Sequence, residues 1–232
     1  MIHVALPNLP RRVCRRSLRA LAAAPLLAAL GVAPAAGQGL ADVCRPLEQP
    51  VLGQWARYRL RGASPDSAEV RLAVVGAERI DGHDYVWQES ILSAGRGETI
   101  VQSLVPAAPY DPTVIRRAVV RLPGQEPMEL PPAALTMLND AGGQETAGLD
   151  ACRRGEASGW ETIEVPAGRV RAMHVRYTRH GRVAETWLAP GIPFAVTRTI
   201  VTGDSAGGRV ELELVGHGRN ATPTIPLARQ AR

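Results

Sequence analysis

The 232-residue chain contains no lysine, so all 27 of its Lys/Arg positions are arginine. Without lysine the protein cannot form a Schiff base, which excludes pyridoxal-phosphate enzymes and class I aldolases. A P-loop is excluded as well, because its phosphate-binding motif needs a lysine. The chain also has no C-x-x-C or H-E-x-x-H spacing for a metal and no G-x-G-x-x-G in a βαβ context. We therefore predict a protein that is not an enzyme and that has no metal site and no cofactor.

Acidic residues are absent from residues 1–37, which instead hold five arginines before an apolar run that ends in small residues. A basic start, an apolar middle and a small-residue end are typical of a cleavable export signal. Pro25 and Pro34 interrupt the apolar run, which disfavours the alternative of a retained membrane anchor. The pair Arg15-Arg16 leaves the twin-arginine export route open beside the general one.

Removal of this signal changes the charge of the protein. The five arginines leave with it, so 22 basic and 22 acidic residues remain in the working chain. A balanced chain offers no basic surface for nucleic acid, and we predict no nucleic-acid partner. We expect the protein in the periplasm, the cell envelope or the extracellular space of a bacterium, near a membrane but not spanning it.

Cysteine is scarce, and only Cys44 and Cys152 remain once Cys14 leaves with the signal. A single pair in an exported chain favours a disulfide, because export places the chain in an oxidising compartment. The alternative is two buried, unpaired thiols. We predict the Cys44–Cys152 disulfide.

The remaining sequence alternates apolar and polar residues with a period of two, which is typical of half-buried strands. One short stretch, residues 131–139, begins with proline and is followed by glycine, which predicts a helix. We predict a mainly β fold over residues 38–219: one curved antiparallel sheet or half-barrel of about ten strands with a short central helix. Residues 220–232 lack periodicity and are expected to form a flexible tail. The predicted strands are 54–61, 69–75, 84–92, 99–105, 113–122, 159–165, 169–178, 183–188, 194–202 and 209–215.

One motif resembles a catalytic nucleophile, because residues 203–207 fit G-x-S-x-G around Ser205. This pattern is found in the hormone-sensitive-lipase family of esterases, where the serine sits between a strand and a helix. Here a predicted strand follows the motif, and the acid and histidine of a triad are not in the required order. A glycine-rich turn between two strands explains the residues better, and a serine esterase stays the minor alternative.

Aromatic residues make up only 4% of the chain, and nearly all of them fall in predicted strands. Filling the core is the simplest role for them. The alternative is that some line a pocket for an apolar ligand. The candidates for such a site are Trp55, Tyr58, Trp87, Met173, Tyr177, Trp187 and Phe194.

Several segments resemble exported bacterial proteins related to the outer-membrane lipoprotein-carrier superfamily. These segments are residues 76–87, 109–121, 159–168, 184–193 and 211–218, and their strand spacing and turn residues carry the likeness. The resemblance implies a half-open antiparallel barrel wrapped on a short helix, which binds acyl chains or apolar segments.

The leading hypothesis is an exported, non-catalytic binding protein with an apolar concavity. Its partner would be a hydrophobic small molecule, a lipid or an acylated protein. The alternative is a structural module whose sheet docks an envelope partner.

Overall fold

The computed structural model describes residues 39–62, 68–95, 97–140, 147–179, 181–203 and 208–227. These residues form one open antiparallel sheet of eleven strands with three short helices. The predicted mainly β fold class is thereby confirmed. The helices are α1 (Leu40–Cys44), α2 (Pro132–Asp140) and α3 (Ala147–Arg154), and a 3₁₀ helix spans Arg45–Glu48. The strands are β1 (Trp55–Arg61), β2 (Ala68–Ile80), β3 (His83–Ala94), β4 (Gly97–Pro106), β5 (Arg117–Arg121), β6 (Met128–Glu129), β7 (Glu156–Val165), β8 (Gly168–Arg179), β9 (Arg182–Leu188), β10 (Val196–Thr202) and β11 (Val210–Gly218).

The sheet consists of two meanders that meet at its centre. Its strand order is β6-β5-β4-β3-β2-β1-β11-β10-β9-β8-β7, so every neighbouring pair except β1 and β11 is consecutive in sequence. The first and last strands pair from Trp55 with Gly218 to Arg61 with Glu211. Strands β6 and β7 are the two edges of the sheet. No helix in the described ranges is long and apolar enough to cross a bilayer.

Turn residues explain where several strands end. Asp81 and Gly82 have φ values of 50° and 82°, as a tight hairpin turn requires, and they join β2 to β3. The prediction of a strand from residue 113 is wrong in its first part, because β5 begins only at Arg117. Asp111 Oδ1 accepts hydrogen bonds from the backbone N and the Oγ1 of Thr113, which holds this segment in a turn.

One side of the sheet, here called the helix side, carries the main core. Side chains from α1 and α3, including Val43, Leu149 and Ala151, pack there against strand residues such as Tyr58 and Val175. The helices α1 and α3 are two elements that the sequence did not predict. The Cys44–Cys152 disulfide joins them, with a Cα–Cα distance of 5.8 Å. The disulfide therefore links the start of the described chain to its middle, on the helix side of the sheet.

The opposite side, here called the outer side, is partly covered by residues 220–227. Ile225 is buried against Ile91, Ile100 and Val119, and Leu227 packs on the cluster that contains Trp87. Residues 220–227 are the first part of the segment predicted as a flexible tail, and they pack on the sheet. Lack of periodicity correctly indicated an irregular segment, but its apolar side chains gain burial on the sheet.

The carboxylate of Glu89 fastens this segment to the sheet. Glu89 is 0% exposed and accepts hydrogen bonds from Arg71 Nη1, Gln102 Nε2, and the backbone N and Oγ1 of Thr224, at 2.8–3.2 Å. Gln102 Nε2 also donates to the carbonyl oxygen of Ile225 at 2.8 Å. A buried carboxylate is tolerated when it is paired and hydrogen-bonded in this way.

Two buried tyrosines on the helix side are expected to respond differently to loss of their hydroxyl. The Tyr110 hydroxyl donates to Gln88 Oε1, whereas the Tyr58 hydroxyl is buried without a hydrogen-bond partner. We expect Tyr110→Phe to lower the free energy of unfolding by about 1–3 kcal/mol, and Tyr58→Phe to leave it unchanged or raise it. Urea denaturation of both variants checks this, and a larger loss for Tyr58→Phe would contradict it.

The two buried tyrosines, Tyr58 and Tyr110, also predict that the stability of the protein depends on pH. Burial raises the pKa of the Tyr58 phenol, and burial with the negative charge of Asp111 raises that of Tyr110. The folded protein keeps these protons while the unfolded chain loses them above about pH 10, so stability falls as the pH rises past that value. Tyr58→Phe is expected to lose less stability than the unmodified protein between neutral and strongly alkaline pH.

Candidate functional site

The best candidate for a binding site is a pocket between α3 and strands β8, β9 and β10, on the helix side. We call it the α3 pocket, and its volume is about 260 Å³. Its walls are mainly apolar, and the residues that line it are Ala147, Asp150, Tyr177, Arg182, Ala184, Thr199 and Val201. Apolar walls with a few polar groups are the usual composition of a small-molecule site.

Arg182 is the unusual member of this pocket. Its Nε and Nη2 atoms are buried, and neither has a hydrogen-bond partner. Buried polar groups are nearly always hydrogen-bonded, and an unpaired guanidinium costs more than a neutral group would. Arg182 is therefore the group in the α3 pocket whose environment is incomplete.

The strand pattern explains why Arg182 points to the helix side. Arg182 is in phase with Ala184, Thr186 and Leu188, and alternate residues of a strand face the same side of the sheet. Directly after the end of β10, a Cβ at Gly203 would lie 2.9 Å from Arg182 Cγ. Glycine at that position therefore leaves room for the arginine side chain.

Two other polar residues of the pocket, Asp150 and Thr199, already have hydrogen-bond partners. Asp150, although buried, accepts a hydrogen bond from Arg154 Nη1 at 3.0 Å within α3. Thr199 Oγ1 lies 3.1 Å from Thr186 Oγ1, within hydrogen-bond distance. Among the described residues, no carboxylate accepts a hydrogen bond from Nε or Nη2 of Arg182.

A second opening, here called the loop pocket, lies between the 3₁₀ helix and the β9–β10 loop. Its volume is about 330 Å³, and Leu47, Ile192, Pro193 and Phe194 supply its apolar part. Phe194 and Ala195 both have positive φ values, 61° and 55°, which are uncommon for residues with a side chain. Gly148 of α3 allows this conformation to pack closely, since a Cβ there would lie 2.7 Å from the Phe194 carbonyl oxygen.

The structure divides the seven ligand-binding candidates between the two sides of the sheet. Tyr58, Met173, Tyr177 and Phe194 belong to the core of the helix side, whereas Trp87 and Trp187 are buried in outer-side clusters and Trp55 packs against one of them. The seven residues therefore do not line one cavity. Tyr177 lines the α3 pocket, and Phe194 lines the loop pocket.

The three tryptophans have partners on the outer side. Trp55 Nε1 donates to Asn220 Oδ1 at 2.9 Å, and Trp87 Nε1 donates to Glu78 Oε2 at 3.2 Å. Trp187 stacks on the His174 ring at 4.4 Å between centroids. Each of the three also lies under an arginine guanidinium, at 5.5–5.9 Å from the ring centroid. These contacts account for the tryptophans as packing residues.

Other motifs of the sequence add no second site. Ser205, the minor candidate for a nucleophile, lies outside the described residues. No three His, Cys, Asp or Glu side chains come together as metal ligands would within the described ranges. His174 is half-buried, and its Nδ1 lies 2.9 Å from Glu161 Oε1.

No protein-family model and no curated protein matches the chain. Among solved structures that resemble it is a protein of Parabacteroides distasonis described as a lipoprotein, with 10% identity and a TM-score of 0.38 over 73% of this chain and 97% of that one. An exported protein with a YmcC-like fold from Bacteroides fragilis has 12% identity and a TM-score of 0.38 over 73% and 98%. MucB has 13% identity and a TM-score of 0.40 over 80% of this chain and 59% of MucB. TM-scores below 0.5 do not establish a common fold, so the site above stands on this chain's own structure.

Proposed function

We propose that this chain is an exported binding protein of the bacterial envelope, which holds an apolar part of its ligand in the α3 pocket and catalyses no reaction on it. The observation that supports this most directly is the pocket itself, whose walls include Ala184 and Val201. Its volume of about 260 Å³ is close to the lower end of the range for ligand sites. It therefore suits one chain or one end of an amphiphile, such as a lipid or the acyl group of an acylated protein.

Two further features support an exported protein. The first is the export signal that the sequence predicts over residues 1–37. The second is the Cys44–Cys152 disulfide, a bond that persists in the periplasm and outside the cell but is rare in the cytosol. Membership of the lipoprotein-carrier superfamily stays a prediction from the sequence.

Filling the α3 pocket is expected to abolish binding. Ala184→Leu places a larger side chain in the pocket, whereas Ala157→Leu on the exposed part of β7 is the matched control. Native mass spectrometry with dodecanol should show a complex for the unmodified protein and the control, and at least ten-fold less for Ala184→Leu. Thermal unfolding should show that Ala184→Leu still folds cooperatively, with a loss of about 1–3 kcal/mol because the larger side chain is added at a buried position.

Two results would count against the proposal. One is equal dodecanol binding by a folded Ala184→Leu variant. The other is no dodecanol complex with the unmodified protein together with no lipid in a solvent extract of the protein purified from its own envelope.

A further inference from the structure

The group in the α3 pocket that calls for explanation is Arg182. Its Nε and Nη2 atoms are adjacent donors of one planar guanidinium, and their N–H bonds run nearly parallel. This pair of donors matches two oxygens of one carboxylate or phosphate group, which is the geometry that distinguishes arginine from lysine. Both atoms are buried and have no hydrogen-bond partner among the residues that the structure describes.

Within the described part of the chain, no acidic side chain hydrogen-bonds to Nε or Nη2 of this guanidinium. Asp150, the acid that lines the same pocket, is bonded to Arg154 at 3.0 Å. Gly203, directly after the end of β10, leaves the space that the aliphatic part of the Arg182 side chain occupies. The sheet thus holds a guanidinium at an apolar pocket in place of the aliphatic residue that the alternation would favour.

We propose that Arg182 binds the anionic head group of an amphiphile whose chain lies in the α3 pocket, through two parallel hydrogen bonds to a carboxylate or a phosphate monoester. This inference rests on the proposed function and adds to it the chemical class of the ligand. The chain of the ligand would contact Ala184 and Val201. Because both donor atoms are buried, the Arg182 side chain must shift to admit the head group, whose oxygens would then satisfy the two donors.

Four probes with the same alkyl chain test the head group: laurate, dodecyl phosphate, dodecanol and dodecyl trimethylammonium. Equilibrium binding to the full-length, disulfide-bonded protein at neutral pH should favour laurate or dodecyl phosphate over dodecanol by about ten- to a hundred-fold. The difference between laurate and dodecyl phosphate distinguishes the two anionic sources. Dodecyl trimethylammonium should bind no better than dodecanol.

Arg182→Met removes the charge but keeps an unbranched apolar side chain. It should lower laurate affinity by about ten- to a hundred-fold and leave dodecanol affinity within about two-fold. Arg182→Lys keeps the charge but not the paired donors. Its laurate affinity should fall between that of the unmodified protein and that of Arg182→Met. Because two of the guanidinium nitrogens are buried without a hydrogen-bond partner among the described residues, Arg182→Met should unfold at the same temperature as the unmodified protein or a higher one.

The possible failures are distinguishable. If the unmodified protein binds dodecanol as tightly as laurate and dodecyl phosphate, the proposed function stands and the role of Arg182 is overturned. The proposed function also stands, and the role of Arg182 is also overturned, if Arg182→Met still prefers the anionic probes to dodecanol. If none of the four probes binds, the proposed function fails as well. A marked loss of stability in Arg182→Met would show that the arginine has a structural partner, which also overturns the inference.

Discussion

Replacing both Cys44 and Cys152 with serine is expected to lower the free energy of unfolding by about 4–5 kcal/mol. The disulfide closes a loop of 108 residues, and in the chain-entropy model a loop of this length stabilises by about that amount because it restricts the unfolded chain. The value is large against the 5–15 kcal/mol that is typical of a whole domain. Urea denaturation of the oxidised protein and of the double variant measures the difference.

The reduced form of the unmodified protein provides the control for this experiment. Its unfolding curve in the presence of a reductant should approach that of the double variant, because the two then share the same unconstrained chain. Equal midpoints for the oxidised protein and the double variant would contradict the prediction. So would a reduced protein that remains as stable as the oxidised one.

Glu89→Ala is expected to have the second large effect, a loss of about 3–5 kcal/mol. Removal of the carboxylate leaves Arg71 as a charge without its buried partner and frees the donors of Gln102 and Thr224. The control is Glu69→Ala, whose partner Arg57 lies 3.9 Å away on the surface, with both side chains nearly half exposed. That variant should lose no more than about 1 kcal/mol.

The Glu89→Ala variant should also loosen residues 220–227 before the sheet itself unfolds. The backbone N–H of Thr224 donates to Glu89, so its hydrogen exchange should accelerate more than that of the amides in the β1–β11 pair. Unchanged exchange at Thr224, together with an unchanged unfolding midpoint, would contradict the role given to this carboxylate.

The strands could be predicted from the sequence because one-sided burial leaves a period of two. The alternation of Ala56 and Tyr58 against Trp55 and Arg57 places these side chains on the two sides of the sheet, as the structure shows. Only α2 among the helices carries a sequence signal, the proline at its start. Helix α3 has only eight residues, which is short for recognising a helical pattern, and its buried residues include the charged Asp150.

The candidate site was harder to predict, for a different physical reason. Aromatic residues indicate burial but not which side of the sheet they face. The seven ligand-binding candidates therefore include residues from both sides of the sheet. Arg182 lies outside the predicted strands, because the predicted strand begins one residue later, at Val183, whereas β9 begins at Arg182. A charged residue in phase with Ala184 and Leu188 is the signal that would have identified it.

The pairing of β1 with β11 has a consequence for how the protein is assembled. Each meander can form from neighbouring hairpins, but the inner edge of the first one, at β1, stays uncovered until the last strand has been made. Contacts between distant parts of a chain form slowly, so the joining of the two half-sheets is expected to limit the folding rate. A chain that ends before Val210 would therefore not lose an outer strand, but would be left as two half-sheets with no strand between them.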